Sequence, residues 1–204
     1  MGPHKFRSFA IVPAAGRSRR MGCDKLLLPY EGRPIIDRVI EAWRDGGVDK
    51  VVVVVRADHA ELRRHLENRP VELAASETPL PEMLDTVQAG LAFISKKFSP
   101  HNQDVWMLAP ADLPTLDPQA IRQVLTAYDP DDAEILAATY DDRRSHPVLF
   151  PWSAAAQAAK LGPTGTIRDL FAENPWRGVP ISQPKPLDVD VPGDLPPGER
   201  KPEK

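Results

Sequence analysis

The sequence predicts an α/β protein: a three-layer α/β/α sandwich around a mostly parallel sheet. Short apolar runs alternate with segments of helical periodicity along most of the chain, in the order β-α-β-α-β-α-β-α, before a mixed stretch. Such alternation is typical of parallel sheets covered by helices. The run at 51–55 consists of valines alone, as expected for a strand that is buried on both faces.

Local patterns predict each element in chain order. Apolar runs predict strands at 9–12, 51–55, 71–75, 105–108, 135–140, 147–150 and 187–190. Helical spacing and capping residues predict helices at 34–46, 58–68, 81–95, 117–128, 152–160 and 164–171. The clearest boundaries are Pro34, which opens a helix that ends at Gly46, and Asp117, an N-cap that is followed by a proline.

Length and composition exclude several classes of protein. A chain of 204 residues has the length of one domain, which we assign to residues 1–195, with a flexible tail at 196–204. The net charge of −3 gives no overall basic field for nucleic acid. Apolar runs are too short for a transmembrane helix, and the first residues show no signal peptide. Cys23 is the single cysteine, which excludes an internal disulfide. We therefore expect a cytoplasmic protein without nucleic-acid or membrane partners.

A glycine-rich basic loop follows the first predicted strand. Gly16 to Lys25 contains four arginine or lysine residues and one aspartate, a local charge of +3 in an acidic protein. Glycines let a backbone approach a ligand, and arginine and lysine suit phosphate groups. The loop is therefore predicted to bind a nucleoside triphosphate or another phosphorylated ligand; the alternative is a solvated basic loop.

Two other phosphate-binding motifs are excluded by spacing. Gly16 and Gly22 are too far apart for a P-loop, and Lys25 is followed by Leu26 rather than by serine or threonine. The Gly-x-Gly-x-x-Gly fingerprint of dinucleotide-binding proteins is absent. An oxidoreductase that uses such a cofactor is therefore disfavoured.

The segment from Ile11 to Pro29, IVPAAGRSRRMGCDKLLLP, resembles the signature of the molybdenum cofactor nucleotidyltransferase-like family, and most of all its cytidylyltransferase branch. The resemblance extends more loosely from Phe9 to about Leu195. It implies a Rossmann-like sheet of the nucleotide-diphospho-sugar transferase type. It also implies Mg2+-dependent transfer of a nucleoside monophosphate from a triphosphate, with release of pyrophosphate.

The same resemblance assigns roles to residues of the loop. It implies that Ala14, Ala15 and Gly16 contact the nucleoside through their backbone groups. Arg17 and Lys25 would hold the phosphates and act in catalysis.

Aspartates that follow predicted strands are the candidate metal ligands. Asp112 lies just after the strand at 105–108, where a carboxylate suits magnesium, and its surroundings resemble the family's metal-binding turn. The segment around Asp188 and Asp190 partly resembles the family's second acidic motif. We take Asp190 as the second ligand, with Asp188 as the alternative, and Asp194 as a helix cap. Solvated or capping carboxylates are the competing interpretation.

Two further side chains match the family's pattern. Thr86 stands where the family places a hydroxyl near the base, although a packed helix would explain it equally well. His146, before Pro147, resembles a Gly-His-Pro element of the acceptor pocket and could donate to an acceptor phosphate or a pterin. Pro163 replaces an aspartate of the cofactor cytidylyltransferases, which weakens the case for molybdopterin as acceptor.

The predicted activity is nucleotidyl transfer to a phosphorylated small molecule, with CTP favoured over GTP as donor and molybdopterin as the first candidate acceptor. Three alternatives stay open: a guanylyltransferase, a cytidylyltransferase acting on isoprenoid precursors or sugar phosphates, and a nucleotide-sensing module without catalysis.

Overall fold

The structure, a computed structural model, describes residues 5–16 and 24–197. The strands are β1 (Ser8–Pro13), β2 (Pro29–Tyr30), β3 (Arg33–Pro34), β4 (Lys50–Arg56), β5 (Glu72–Ser76), β6 (Val105–Leu108), β7 (Ile135–Tyr140), β8 (Arg143–Pro151) and β9 (Trp176–Pro180). The α-helices are α1 (Ile35–Asp45), α2 (Ala60–Leu66), α3 (Met83–Phe98), α4 (Pro118–Ala127), α5 (Ala154–Ala158) and α6 (Leu170–Glu173).

Seven strands form one mostly parallel sheet in the order β5-β4-β1-β6-β8-β7-β9. The pairs β1–β4, β1–β6, β4–β5 and β7–β9 are parallel, whereas β8 runs antiparallel to both of its neighbours, β6 and β7. Strands β2 and β3 pair with each other as a separate antiparallel ribbon. The carboxyl ends of the parallel strands therefore meet at one edge of the sheet, where ligands bind in α/β proteins.

Helices cover both faces of the sheet and divide the core in two. One half packs side chains of α1, α2 and α4 against the sheet, and the other half those of α3, α5 and α6. The valine run follows this division, because Val51, Val53 and Val55 lie in the first half and Val52 and Val54 in the second. The predicted three-layer architecture is thus confirmed.

Gly90 allows α3 to lie close against the sheet. A Cβ atom at this position would lie 3.0 Å from Cγ2 of Ile11 in β1 and 3.0 Å from Cγ2 of Val54 in β4. Real Cβ atoms rarely approach other atoms so closely. The absence of a side chain therefore allows the close approach of α3 to β1 and β4.

Two predicted elements differ in the structure, and strand β9 was not predicted. No strand forms at 187–190; the segment carries no ladder and is tied down through Val189, whose N–H donates to the carbonyl of Asp112 at 3.1 Å. The edge strand β9 is found instead, in a sequence whose single buried side chain is Val179. The helix predicted from Thr164 starts later, with Thr166 before a 3-10 turn that leads into α6.

The described part of the chain ends within the predicted tail. Of the tail at 196–204, residues 198–204 lie outside the described residues. In the described part of the chain, no helix combines the length and the apolar character needed to cross a bilayer.

Candidate active site

The predicted nucleoside-contacting residues lie at the carboxyl end of β1. Ala14 and Ala15 are buried, and the N–H of Ala14 donates to the carbonyl of Val54 at 2.9 Å, which continues the pairing of β1 with β4. Gly16 is exposed, and a Cβ atom there would meet no atom within 4 Å. Residues 17–23, including Arg17, lie outside the described residues, so the role of Arg17 stays a prediction.

Lys25 is the last residue of the basic loop and the first of a 3-10 turn (Lys25–Leu27). Asp24 caps this turn, since its Oδ1 accepts a hydrogen bond from the N–H of Leu26 at 3.2 Å. Leu26 is buried in the core, which fixes the turn against the sheet. The Lys25 side chain is 15% exposed and extends toward the carboxylates that follow β6.

The ammonium group of Lys25 joins two separate parts of the chain. Its Nζ lies 2.5 Å from Oδ2 of Asp112 and 3.3 Å from Oδ1 of Asp190, and it donates to the carbonyl of Val189 at 3.0 Å. Burial lowers the pKa of Lys25, but the hydrogen bonds and charges of Asp112 and Asp190 outweigh burial and raise it above its ordinary value. Lys25 is therefore a firmly protonated cation.

Three carboxylates converge on one place beside Lys25. Asp112, Asp188 and Asp190 each offer an oxygen atom, and these atoms lie within 4.8 Å of one another. Asp194 is held differently: its Oδ2 accepts the backbone N–H groups of Asp190 and Val191 at 2.8 and 2.9 Å. This matches the capping role predicted for Asp194, and the cap presents Asp190 to the cluster.

The carboxylate cluster fits a divalent metal ion. Burial, followed by the neighbouring charges of Asp112 and Asp190, raises the pKa of Asp188 above its ordinary value. Oδ1 of Asp112 is buried and has no hydrogen-bond partner among the described residues. Crowded carboxylates with an unsatisfied oxygen are the donor set that Mg²⁺ or Mn²⁺ prefers. Asp112 and Asp190, with Asp188 beside them, would hold such an ion.

Thr86 lies in the first turns of α3 and is buried. Its hydroxyl donates to the backbone carbonyl of Glu82 at 3.3 Å. The hydrogen bond explains the threonine within the helix itself, and contact with a nucleotide base stays a prediction.

His146 lies on β8 next to the end of β6. Its Nδ1 is 3.3 Å from the carbonyl oxygen of Leu108, so Nδ1–H donates there. Burial lowers the pKa of His146 below its ordinary value. The neutral ring then presents the lone pair of Nε2, which accepts a hydrogen bond. The donation to an acceptor phosphate that the sequence predicted would require the protonated ring.

A cavity of about 730 Å³ opens beside His146. Leu108 and Pro110, which lead from β6 to Asp112, form one wall, and the other walls come from the start of α3, from β8 and from residues 163–171. The size falls within the range of small-molecule pockets. The cavity therefore lies beside the segment that leads from β6 to Asp112.

Two arginines and a phenylalanine shape this cavity. The guanidinium of Arg144 lies 3.9 Å from the ring centroid of Phe171 and 5.2 Å from that of Trp176. Arg168 lines the same cavity, and neither arginine forms a salt bridge within the described part of the chain. No role was predicted from the sequence for Arg144, Arg168 or Phe171; Arg168 and Phe171 lie in a 3-10 turn and a short helix that follow no strand.

Residues 10–178 match the MobA-like NTP transferase domain. The chain belongs to this family. Its members are nucleotidyltransferases, so both the predicted family and the predicted enzyme class are confirmed.

Curated proteins that are similar in sequence to this chain carry names of different enzymes, and three of them illustrate this. The nicotine blue oxidoreductase of Paenarthrobacter nicotinovorans is 23% identical and covers 81% of this chain and 82% of its own. A probable molybdenum cofactor guanylyltransferase of Bacillus cytotoxicus is 27% identical and covers 66% and 63%. The 2-C-methyl-D-erythritol 4-phosphate cytidylyltransferase of Aromatoleum aromaticum is 37% identical and covers 58% and 52%.

Solved structures share the fold. Rv0371c from Mycobacterium tuberculosis superposes with a TM-score of 0.76 at 23% identity, over 93% of this chain and 95% of that one. A complex of the same protein with manganese gives a TM-score of 0.73 at 22% identity, over the same shares of the two chains. At these identities the likeness establishes the Rossmann-like architecture.

Proposed function

We propose that this MobA-like nucleotidyltransferase moves a nucleoside monophosphate from a triphosphate to a phosphorylated small molecule and releases pyrophosphate, with Mg²⁺ as its ion and CTP as preferred donor. We assign the activity to residues 1–195 as one domain. The observation that carries the proposal is the convergence of Lys25 with Asp112 and Asp190 at the exit of the phosphate loop. This arrangement supports the proposal because a fixed cation and the aspartates that would hold a metal ion lie beside one another.

The reaction requires charge neutralisation more than proton transfer. An oxygen of the acceptor phosphate forms a bond to the α-phosphorus, while the bond between that phosphorus and the bridging oxygen breaks and its electron pair leaves with pyrophosphate. Lys25 is protonated and fixed, so it can offset the charge that develops on the phosphates. A divalent ion, when held by the aspartates, supplies Lewis-acid stabilisation at the same centre. Because the acceptor phosphate is already ionised, no general base is needed.

The cavity beside His146 supports a phosphorylated acceptor with an apolar or aromatic body. Arg144 and Arg168 offer positive charge, and Phe171 offers a ring face. The neutral His146 can accept a hydrogen bond from an N–H or O–H of the acceptor. Molybdopterin stays the first candidate, although Pro163, which lines the cavity, stands where the cofactor cytidylyltransferases have an aspartate.

The choice of CTP rests on resemblance to the cytidylyltransferase branch, and the identity of 37% with a cytidylyltransferase supports it. The guanylyltransferase relative supports GTP as the competing donor. Thr86, the side chain predicted to lie near the base, favours neither donor, because its hydroxyl donates to Glu82 within α3 and could only accept a hydrogen bond from either base.

The test is an assay of pyrophosphate release. The protein is incubated with Mg²⁺, inorganic pyrophosphatase and each of the four ribonucleoside triphosphates, across a panel of phosphorylated acceptors that includes molybdopterin. We expect acceptor-dependent phosphate release, greatest with CTP. Phosphate release with GTP in place of CTP would change the proposed donor nucleotide and leave the proposed reaction unchanged. Triphosphate binding without release on any acceptor would instead identify a nucleotide sensor.

A second candidate function follows from the relative that covers most of this chain. Because the alignment with the nicotine blue oxidoreductase covers 81% of this chain at 23% identity, an oxidoreductase that uses a dinucleotide cofactor is the alternative activity. The missing dinucleotide fingerprint argues against it. Titration with NADH and NADPH, followed by absorbance and fluorescence, decides the point: saturable binding of a nicotinamide cofactor would support the oxidoreductase.

A further inference from the structure

The backbone on both sides of Asp188 is hydrogen-bonded to the turn that follows β6. Before Asp188, the N–H of Leu187 donates to Oγ1 of Thr115 at 2.7 Å. After it, the N–H of Val189 donates to the carbonyl of Asp112 at 3.1 Å. The segment that carries one of the three clustered carboxylates is thus tied to the turn that carries another.

The tie at Thr115 depends on a side chain, whereas the tie at Asp112 uses the backbone. Any residue at position 112 would offer a carbonyl oxygen, but the N–H of Leu187 needs a side chain with an acceptor atom at position 115. The side chain of Leu187 is 40% exposed, so it adds little packing at this point. The identity of residue 115 therefore matters for the backbone that leads into Asp188.

Thr115 lies in a turn that the core and α1 hold in place. The N–H of Leu116 donates to the carbonyl of Leu113 at 3.0 Å, and both leucine side chains are buried in the core. From α1, Nε of Arg38 donates to the carbonyl of Pro114 at 2.9 Å. The hydroxyl of the threonine is consequently presented from a fixed support.

Asp188 depends on such support more than the other two carboxylates do. Asp112 is paired with Lys25 at 2.5 Å, and the N–H of Asp190 donates to Oδ2 of Asp194 at 2.8 Å. Asp188 is the exposed member of the cluster, and the negative charges of its two neighbours repel it. Its place beside them therefore relies on how the backbone around it is anchored.

We propose that Thr115 is a positioning residue for the metal site: its hydroxyl holds the backbone before Asp188, so that this carboxylate completes the ligand set of the ion. The inference rests on the proposed function for the ion. Groups that orient metal ligands contribute to metal affinity, because a ligand that is already in place loses less conformational entropy on binding. A valine at position 115 would keep the shape of threonine without the acceptor oxygen, and a serine would keep that oxygen.

The experiment compares T115V and T115S with T126V as the matched control. Thr126 is exposed on α4, and T126V makes the same exchange of a hydroxyl for a methyl group away from the carboxylates. The variants D188N and D190N, each alone and combined with T115V, show through which carboxylate Thr115 acts. Circular dichroism and Tm check that every protein is folded.

Three measurements are made on each protein. Electron paramagnetic resonance of free Mn²⁺ gives the affinity for the ion alone, without nucleotide or acceptor. Hydrogen–deuterium exchange read by mass spectrometry, with no metal added, gives the opening rate of the segment at 185–191. Pyrophosphate release with Mg²⁺-CTP and the panel of acceptors gives turnover.

We expect T115V to bind Mn²⁺ about tenfold more weakly and to exchange faster at 185–191, while T115S and T126V stay close to the wild type. The loss of Mn²⁺ affinity in T115V should persist in the D190N background and disappear in the D188N background, because Asp188 is the carboxylate that Thr115 positions. A merely structural role would lower Tm without this dependence on Asp188.

Wild-type Mn²⁺ affinity in folded T115V would overturn the proposal. So would a loss of affinity that T126V shares, that T115S fails to rescue, or that is equally large in the D188N background. The expected pattern of Mn²⁺ binding in a protein that releases no pyrophosphate with any triphosphate and acceptor would support the role of Thr115 and overturn the proposed function alone. A wild type that binds no Mn²⁺ would overturn both.

Discussion

Nζ of Lys25 lies 2.5 Å from Oδ2 of Asp112, although the two residues are 87 positions apart in the chain. The contact joins the exit of the phosphate loop to the carboxylate cluster after β6. Both partners are mostly buried, with 15% and 19% of their side chains exposed. The parts of the site proposed to bind phosphate and metal are therefore joined by one ion pair, and a change in either part should affect the other.

Replacing Lys25 should remove catalysis while the fold survives. Loss of one fixed cation at a developing negative charge typically costs ~2.7–4 kcal/mol of transition-state stabilisation. We expect Lys25→Ala to lower kcat/KM by at least ~100-fold. Circular dichroism and Tm check that the variant is folded. Turnover near the wild-type rate in a folded variant would contradict the role given to Lys25.

Asp112 should be the most sensitive position of the carboxylate cluster, because its unsatisfied oxygen is buried. We expect Asp112→Asn to lower turnover by ~10²–10³-fold and to weaken Mn²⁺ binding measured by electron paramagnetic resonance. Asp190→Asn should have a larger effect than Asp188→Asn, since Asp188 is exposed. Asp132→Asn, an exposed position far along the chain, serves as the control, and equal losses there would contradict the assignment.

Arg144 should act on the acceptor and leave the triphosphate unaffected. We expect Arg144→Gln to raise the KM for the acceptor by about tenfold, the effect of losing a hydrogen bond to a charged group, with the affinity for Mg²⁺-CTP unchanged. Phe171→Leu should have a smaller effect in the same direction, because it removes the ring under the guanidinium. A rise in the dissociation constant for the triphosphate would contradict the prediction that Arg144 binds the acceptor alone.

Burial of His146 should make the folded protein less stable as the pH falls. Burial lowers its folded pKa below the ordinary 6.5, so the unfolded chain binds a proton more readily than the folded one. Its contribution to stability is complete above pH 6.5 and is lost as the pH falls through the folded pKa. The Tm of His146→Gln should therefore fall less than that of the wild type between about pH 7.5 and pH 5.5. His101→Gln, at an exposed position, should behave as the wild type; identical slopes in all three proteins would refute the prediction.

Gly90 should tolerate no side chain without loss of stability. Gly90→Ala places a Cβ atom 3.0 Å from both Ile11 and Val54, and overpacking of this kind costs about 1–3 kcal/mol. The better helix propensity of alanine returns about 1 kcal/mol, so a moderate net decrease in the free energy of unfolding is expected in urea. Gly162→Ala, where nothing lies within 4 Å of the added atom, provides the comparison. An unchanged midpoint for Gly90→Ala would show that α3 can shift away from the sheet.

The sequence predicts best those elements whose residues are buried on both sides. Strand β6 is found at the predicted residues, Val105–Leu108, and β4 extends the predicted valine run by one residue at each end. Strand β9 is not predictable in the same way, because its sequence contains a glycine, ends in a proline and buries Val179 alone. Edge strands depend on the backbone of their neighbour, and here β9 pairs with β7.

The site is predictable where a residue follows a strand and unpredictable where it depends on distant contacts. Asp112 follows β6, and this position indicated its role. The alternating pattern around Asp188 and Asp190 predicted a strand, but no strand forms there. A hydrogen bond from Val189 to the carbonyl of Asp112 and the cap by Asp194 hold the segment instead. The hydrogen bonds from Arg56 to the carbonyls of Ala15 and Gly16 have no periodic signal in the sequence, since they connect residues about 40 positions apart.

The antiparallel course of β8 has a consequence for how this chain could acquire new substrates. Because β8 returns beside β6, a contiguous stretch from about residue 143 to residue 171 supplies most of the cavity wall. The proposed triphosphate side lies elsewhere in the chain, at Lys25, Asp112 and Asp190. If the proposed function holds, recombination or drift within this stretch would change the acceptor and leave the residues proposed to activate the nucleotide unaltered. Grafting the stretch from a relative of known specificity is accordingly a direct route to redirecting the protein.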